Sequence, residues 1–460
     1  MRPAHALASI GAAVWLAACS AEPAPRAPGA GEPPVNLILI SLDTVRRDRL
    51  SAYGYAKPTS PALRRVAEQG VRYERAVTVS PWTIPSHYTL FTGLYPNRHG
   101  VWDYHQALDE ELPTLAQLLA ADGMRTLGIV STQAIKSARS FGRGFERFRY
   151  INEWRTDADG RRFIHNPGRE VTDLGLFWLD EIRDAPFFLF LHYYDAHSDY
   201  SPQPRFREAF VEPYAGELEG RTAELLQVRT GARRLEAADI AFLSQLYDAE
   251  LRQLDDEIGR VTRYMEKHGL AENTLLVIVS DHGEEFMEHG KILHGTSYYD
   301  ETIAIPLILR GPGLPRGLRV EALTSLIDLP PTILGLLGRE APPSMQGIDL
   351  SADWIPGRSR VRRPFVFAEA DWKNEVPALY RMVRDERYKL IFNTRNESAE
   401  LYDMAADPAE THDVSEKLPE QTAHMRGAAR NYMSDQYRAE PSVEPSPEAL
   451  EQLRALGYAD

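Results

Sequence analysis

Apolar runs short enough for strands recur along the chain, separated by longer stretches with helical spacing. Residues 35–42 read Val-Asn-Leu-Ile-Leu-Ile-Ser-Leu, apolar at nearly every position, as a parallel strand buried on both faces requires. Similar runs lie at 125–130, 187–191, 275–279 and 306–309. Helical patterns fill 60–69, 112–121 and 235–267. In the last of these, Ile240, Leu243, Tyr247, Leu251, Leu254, Ile258 and Val261 step by three or four and form one apolar stripe, the mark of core packing. Strands alternating with helices predict an α/β fold whose open, mostly parallel central sheet is covered on both faces.

The texture changes after about residue 360. Residues 364–367, 379–383 and 388–392 read as short antiparallel strands, the last two joined by a turn at Asp385-Glu386, and 448–456 reads as a closing helix. The expected organisation is a large domain over 35–360 and a small α+β subdomain over 361–460.

Composition adds two exclusions. The 460 residues are 43% hydrophobic and 26% charged, ordinary for a folded soluble body and unlike a multi-span membrane protein. The net charge of -14 is spread along the chain, which argues against a nucleic-acid-binding surface. The amino terminus has a different character. Arg2 is followed by an apolar run over 7–18, too short to span a bilayer and shaped like an export signal. It ends in Leu16-Ala17-Ala18-Cys19, which resembles the bacterial lipobox, and Cys19 is the only cysteine, so no disulfide forms within the chain. Residues 19–34 are rich in Ala, Pro and Gly and read as a tether. The expectation is an exported bacterial lipoprotein, cut after residue 18 and held at Cys19 on the periplasmic or surface face of a membrane.

Candidate chemistry collects where strands end, the place where open α/β sheets bind ligands. Asp43 closes the first strand, Asp195 and His197 follow the third, and Asp281-His282 follow the fourth. One acid at a strand end is usually a cap or a turn residue; three such ends together suit a divalent cation such as zinc or manganese. Two more histidines lie in Glu288-His289-Gly290-Lys291-Ile292-Leu293-His294-Gly295, of which His294 is preferred because it sits nearer the next strand. A nucleophile candidate lies in Trp82-Thr83-Ile84-Pro85-Ser86-His87-Tyr88. Pro85 fits the first turn of a helix running to Gly93, which puts Thr83 at the helix amino end, where free N–H groups attract an anion. Read alone, Thr83 is a helix cap.

Together these segments resemble the sulfatase branch of the alkaline phosphatase superfamily over nearly all of the chain beyond the tether. The resemblance is carried by Leu39-Ile40-Ser41-Leu42-Asp43, Thr83-Ile84-Pro85-Ser86 through Thr92-Gly93, Ser280-Asp281-His282-Gly283-Glu284, Tyr298-Tyr299-Asp300-Glu301 and Asp328-Leu329-Pro330-Pro331. Arg387-Tyr388-Lys389-Leu390 and Glu400-Leu401-Tyr402-Asp403 match its carboxy-terminal subdomain. It implies a three-layer sandwich and a metal-dependent ester hydrolase. The departures matter for chemistry. Sulfatases carry a Cys or Ser, oxidised to formylglycine, ahead of Pro-Ser-Arg; here Thr83 holds that position, His87 replaces the arginine, His294 the lysine, and Thr44 a second aspartate.

Each departure leads towards phosphoesterase branches that use an unmodified Thr or Ser and two metals. By that analogy Asp43, Thr83, Asp281 and His282 surround one ion, and Asp195, His197 and His294 hold the other. In a one-metal, sulfatase-like site, with calcium as the ion, His197 and His294 contact the ester oxygens instead, and the sequence leaves both arrangements open. The expected reaction is in-line attack by Thr83 on a phosphate mono- or diester of a small molecule, lipid or glycan, with Ser86 as fallback nucleophile. His87 either orients an oxygen or serves the fold. The alternatives are a sulfate-ester hydrolase without formylglycine, a transferase of a phospho-headgroup, and a metal-free glycan-binding surface protein. Trp82, Tyr88 and Tyr104 are candidates to stack on substrate, and 200–235 reads as an irregular loop over the site mouth.

Overall fold

The computed structural model describes residues 35–138, 140–156, 162–164, 167–354, 361–370, 380–433 and 446–456. The expected export signal, Cys19 and the tether lie outside the described residues. Eight strands form the central sheet in the order Leu318–Ser325, Val71–Val77, Leu307–Arg310, Thr274–Ser280, Asn36–Leu42, Phe187–Tyr193, Arg125–Val130, Arg147–Tyr150. Seven of them run the same way; only Leu307–Arg310 is reversed, pairing antiparallel with both neighbours. That corrects the reading of its apolar run as one more parallel strand: burial on both faces produces the same sequence in either direction.

Alternation along the central strand divides the two cores. Leu37 and Leu39 face the layer of helices Thr83–Thr92, Leu115–Ala121 and Leu329–Leu336, while Ile38, Ile40 and Leu42 face Pro61–Glu68, Gly168–Ile182 and Ala237–Lys267. The fold is thus a three-layer α/β sandwich. The long helix turns its stripe inward, with Leu243, Tyr247, Leu251, Leu254, Ile258 and Val261 all buried against the sheet. Register sets the working rim. Ser41 pairs with His192 on one side and Val279 on the other, so the strands leading to Asp43, Asp281 and the 194–197 turn end level with one another.

The second sheet is antiparallel throughout, in the order Val366–Glu369, Tyr380–Arg384, Tyr388–Asn393, Ala399–Asp403, backed by helix Pro419–Met433. The turn between its second and third strands is closed by Asp385 N–H donating to the Tyr388 carbonyl at 3.0 Å. The closing helix Pro447–Ala455 does not stay with this sheet. It packs on helix Gln133–Ser137 of the large domain and buries Leu453 and Leu456 in the core face that also holds Ile84 and Tyr88.

Candidate active site

Helix Thr83–Thr92 begins directly after extended Trp82 and ends at Gly93, whose φ of 66° is the left-handed cap that stops it. The Thr83 side chain, wholly buried, meets the strand-end cluster: its Oγ1 lies 3.1 Å from His282 Nε2. The His282 Nδ1–H donates to the Gly283 carbonyl at 3.0 Å, so Nε2 is the nitrogen without hydrogen and Thr83 is the donor. Around His282 stand Asp281 Oδ2 at 3.4 Å and Asp43 Oδ1 at 3.8 Å. Asp281 Oδ1 is held by the backbone N–H of His282 at 2.8 Å and of Thr44 at 3.3 Å, leaving Oδ2 to point into the centre.

Neither oxygen of Asp43, nor Asp281 Oδ2, accepts a hydrogen bond from the described residues, although all three atoms are buried. Two such carboxylates side by side are costly without a positive partner. Burial pushes the Asp43 carboxyl up to about 7, opposed by His282 and aided by Glu284. Burial and then the neighbouring Asp43 raise Asp281. Asp43, Asp281 and His282 offer donor atoms within 4.8 Å of one another, the one such group among the described residues. Two carboxylates, an imidazole nitrogen and the adjacent Thr83 hydroxyl fit a divalent cation.

The histidines around this trio are neutral by burial. His197 and His294 are held far below the ordinary imidazole value, with a neighbouring histidine adding to burial in each case. Their rings lie 4.9 Å apart, and the His294 ring is 4.5 Å from that of His282. His197 Nδ1–H donates to the Ser198 carbonyl at 2.8 Å and its ring stacks on Tyr194 at 4.3 Å. His87 is held down to about 4 by burial, against the pull of Asp281. Its Nδ1–H donates to the Thr83 carbonyl at 2.8 Å, and Ser41 Oγ–H donates to its Nε2 at 3.0 Å. His87 therefore braces the first turn of the Thr83 helix from below.

Two expectations change. Asp195 does not join His197 and His294: its Oδ1 accepts from Gln253 Nε2 at 3.3 Å, and its carboxylate lies against Gly168 at the start of a helix, where an added Cβ would be 2.4 Å from Oδ2. Asp195, His197 and His294 do not bring donor atoms within 4.8 Å of one another among the described residues, so the expected ligand set for a second ion is not assembled. Residues 200–235 are not an irregular flap either. They contain helices Pro204–Phe210 and Thr222–Arg229, and Arg229 Nη2 donates to the His294 carbonyl at 2.8 Å.

Other candidates sort by contact. Ser86 Oγ is tied to the Ser80 carbonyl at 2.8 Å and to Thr78 Oγ1 at 3.0 Å, in the helix packing rather than the cluster. His289 stacks on Tyr299 at 3.6 Å and faces the Glu410 carbonyl. Trp82 stands 6.3 Å from the His294 ring; Tyr88 bonds Ser140 Oγ at 2.7 Å within the core, and Tyr104 packs on His105 at 4.3 Å. Sequence reasoning missed His192, whose Nε2 lies 3.2 Å from Asp43 Oδ2, and Glu284, which accepts from His294 Nδ1–H at 3.0 Å. Strand alternation carried the signal for His192: it falls on the same face as Phe188 and Phe190, beside Ser41.

Comparison with known proteins agrees with this architecture. A family model described as Sulfatase matches residues 35–339, and one described as N-sulphoglucosamine sulphohydrolase, C-terminal, matches 288–434. The uncharacterized sulfatase YidJ of Escherichia coli is 26% identical over 440 residues, covering 86% of this chain and 87% of that protein. The delta 4,5-hexuronate-2-O-sulfatase of Bacteroides thetaiotaomicron is 24% identical over 448 residues, covering 88% and 90%. Among solved structures, the phosphonate monoester hydrolase of Agrobacterium radiobacter superposes with a TM-score of 0.72 at 22% identity, covering 87% of this chain and 95% of that one. The first family model spans Asp43, Thr83, Asp281 and His282 alike, and so the chain belongs to the sulfatase family, whose members hydrolyse esters.

Proposed function

We propose that the protein is a metal-dependent phosphate-ester hydrolase in which Thr83 is the nucleophile. The observation that carries this reading is the 3.1 Å contact between Thr83 Oγ1 and His282 Nε2, beside three buried carboxylate oxygens that accept no hydrogen bond from the described residues. Asp43, Asp281 and His282 would hold a divalent cation, which when bound would supply positive charge for the ester oxygens and ease loss of the Thr83 proton. Thr83 Oγ1 then bonds to phosphorus as the bond to the departing alcohol breaks, and water later attacks phosphorus in line to free Thr83. His197 and His294, each with its Nδ1–H given to Ser198 and Glu284 respectively, line the reacting centre as hydrogen-bond acceptors, and His87 holds the helix turn that aims Thr83. Among the described residues Asp195, His197 and His294 do not gather donor atoms as a group, and Asp195 bonds Gln253, so the reading takes one ion.

Phosphorus is preferred over sulfur because of the nucleophile. A threonine ester has no second oxygen on the same carbon to expel the transferred group, so release depends on a second attack at the central atom, which phosphoryl centres accept. The test is Thr83→Ala and Thr83→Ser, assayed on bis-p-nitrophenyl phosphate, p-nitrophenyl phosphate and p-nitrophenyl sulfate, with bound metal measured alongside. Thr83→Ala should lose at least about 10³-fold in kcat with metal retained, and Thr83→Ser should keep part of it. Full activity in Thr83→Ala ends the reading, and turnover of the sulfate alone transfers it to sulfur. We further propose export and acylation at Cys19, supported by the lipobox-like Leu16-Ala17-Ala18-Cys19. Cys19→Ala should move the protein from the membrane to the soluble fraction; unchanged membrane association would contradict it.

A further inference from the structure

Glu284 sits two residues beyond His282 and opens a short hairpin in which Glu285 pairs with Leu293 and Phe286 with Ile292. The next cross-strand pair in that register is Glu284 with His294. Both carboxylate oxygens of Glu284 are used: Oε1 accepts from His294 Nδ1–H at 3.0 Å and Oε2 from the Tyr200 hydroxyl at 3.1 Å. Glu284, His294 and Tyr200 are all buried, so these bonds act where water cannot compete. The backbone is bent to suit: Leu293, immediately before His294, has a φ of 67°, a left-handed conformation that a leucine rarely takes.

We propose that Glu284 is a positioning residue that acts through His294, a role resting on the reading of Thr83 as nucleophile. Holding the hydrogen on Nδ1 makes Nε2 the acceptor, on a ring 4.5 Å from that of His282, the partner of Thr83. Nε2 accepts a hydrogen bond from the water that attacks phosphorus and aligns it for release of Thr83. Tyr200 fixes the second carboxylate oxygen, so the carboxylate cannot rotate away from His294. The three residues form a relay of orientation in which only His294 meets the reacting group.

The experiment is a double-mutant cycle on the full chain with bis-p-nitrophenyl phosphate as probe: Glu284→Ala, Glu284→Gln, His294→Ala and Glu284→Ala/His294→Ala, with metal content and melting temperature measured for each. Glu284→Ala should lower kcat by about 10- to 100-fold, with KM within about twofold and metal retained. Glu284→Gln, whose side-chain oxygen still accepts from Nδ1–H, should recover part of the loss. In the His294→Ala background, Glu284→Ala should cost nothing more. Multiplicative losses in the double variant, a Glu284→Gln no better than Glu284→Ala, or unchanged kcat in Glu284→Ala would each overturn the proposal. If Glu284→Ala does not fold, Glu284→Gln and Tyr200→Phe carry the same cycle. Thr83→Ala is read separately: its full activity refutes the nucleophile and leaves the additivity result standing on its own.

Discussion

Chelation of the metal should reveal the two buried carboxylates through pH. In the folded apoprotein Asp43 titrates at about 7, against an ordinary value of 3.8, because burial disfavours its charge. The folded apoprotein therefore keeps a proton that the unfolded chain has lost. Its stability falls as pH rises from about 4 to about 7 and levels off above, with about 4 kcal/mol at stake for Asp43 alone. Asp281, also raised, adds in the same direction. A dication needs the ionised form and reverses the trend. Below pH 7 its affinity should drop about tenfold per pH unit for Asp43, so at pH 5.5 it should bind about 30-fold more weakly than on the plateau. That is about 2 kcal/mol of lost stabilisation at excess metal, or about 4 °C at the ~2 °C per kcal/mol of a large domain. The assay is thermal unfolding with chelator and with manganese or zinc, from pH 5.5 to 8.5. Taking the metal-dependent difference at each pH removes the buried histidines, which act with the opposite sign in both samples. A metal-induced rise in Tm as large at pH 5.5 as at pH 8 refutes the assignment of Asp43 as a ligand.

Two further outcomes follow from packing. Gly283→Ala would put a Cβ 2.0 Å from the Glu301 backbone carbonyl, which cannot swing aside, so His282 must shift; metal should fall below one equivalent and stability by about 1–3 kcal/mol or more. A Gly283→Ala protein with full metal and unchanged Tm would contradict that packing. Asp195→Asn should leave metal content and the metal-dependent rise in Tm unchanged, since Asp195 bonds Gln253. Loss of a bound ion in Asp195→Asn would restore the second ligand group.

Much of the frame was legible because burial on both faces leaves an unmistakable run, as in Asn36–Leu42 and Thr274–Ser280. Strands Val71–Val77 and Leu318–Ser325 escaped notice because their sequences, Val-Arg-Tyr-Glu-Arg-Ala-Val and Leu-Arg-Val-Glu-Ala-Leu-Thr-Ser, are interrupted by charges, of which Glu74, Arg75, Arg319 and Glu321 are not buried. Strand direction was not legible at Leu307–Arg310, since apolarity reports depth and not polarity of the chain. At the site, Asp43, Thr83, Asp281 and His282 do converge, each placed by a strand end or a helix start. Asp195 was misread because spacing of two residues specifies a common face only inside a strand, and Tyr193 is the last strand residue. Glu284 hid beside a motif whose neighbours already had a role.

Helix Pro447–Ala455 completes a layer begun by helices Thr83–Thr92 and Gln133–Ser137. Leu453 and Leu456 fill the same apolar face as Ile84 and Ile135, some three hundred residues earlier. During synthesis the scaffold under the Thr83 helix stays uncovered until residues 447–456 emerge, so closure of this face is a long-range step rather than a local one. A chain shortened by a dozen residues would retain every side chain of the reacting centre yet leave a sticky flank, and its first symptom would be aggregation.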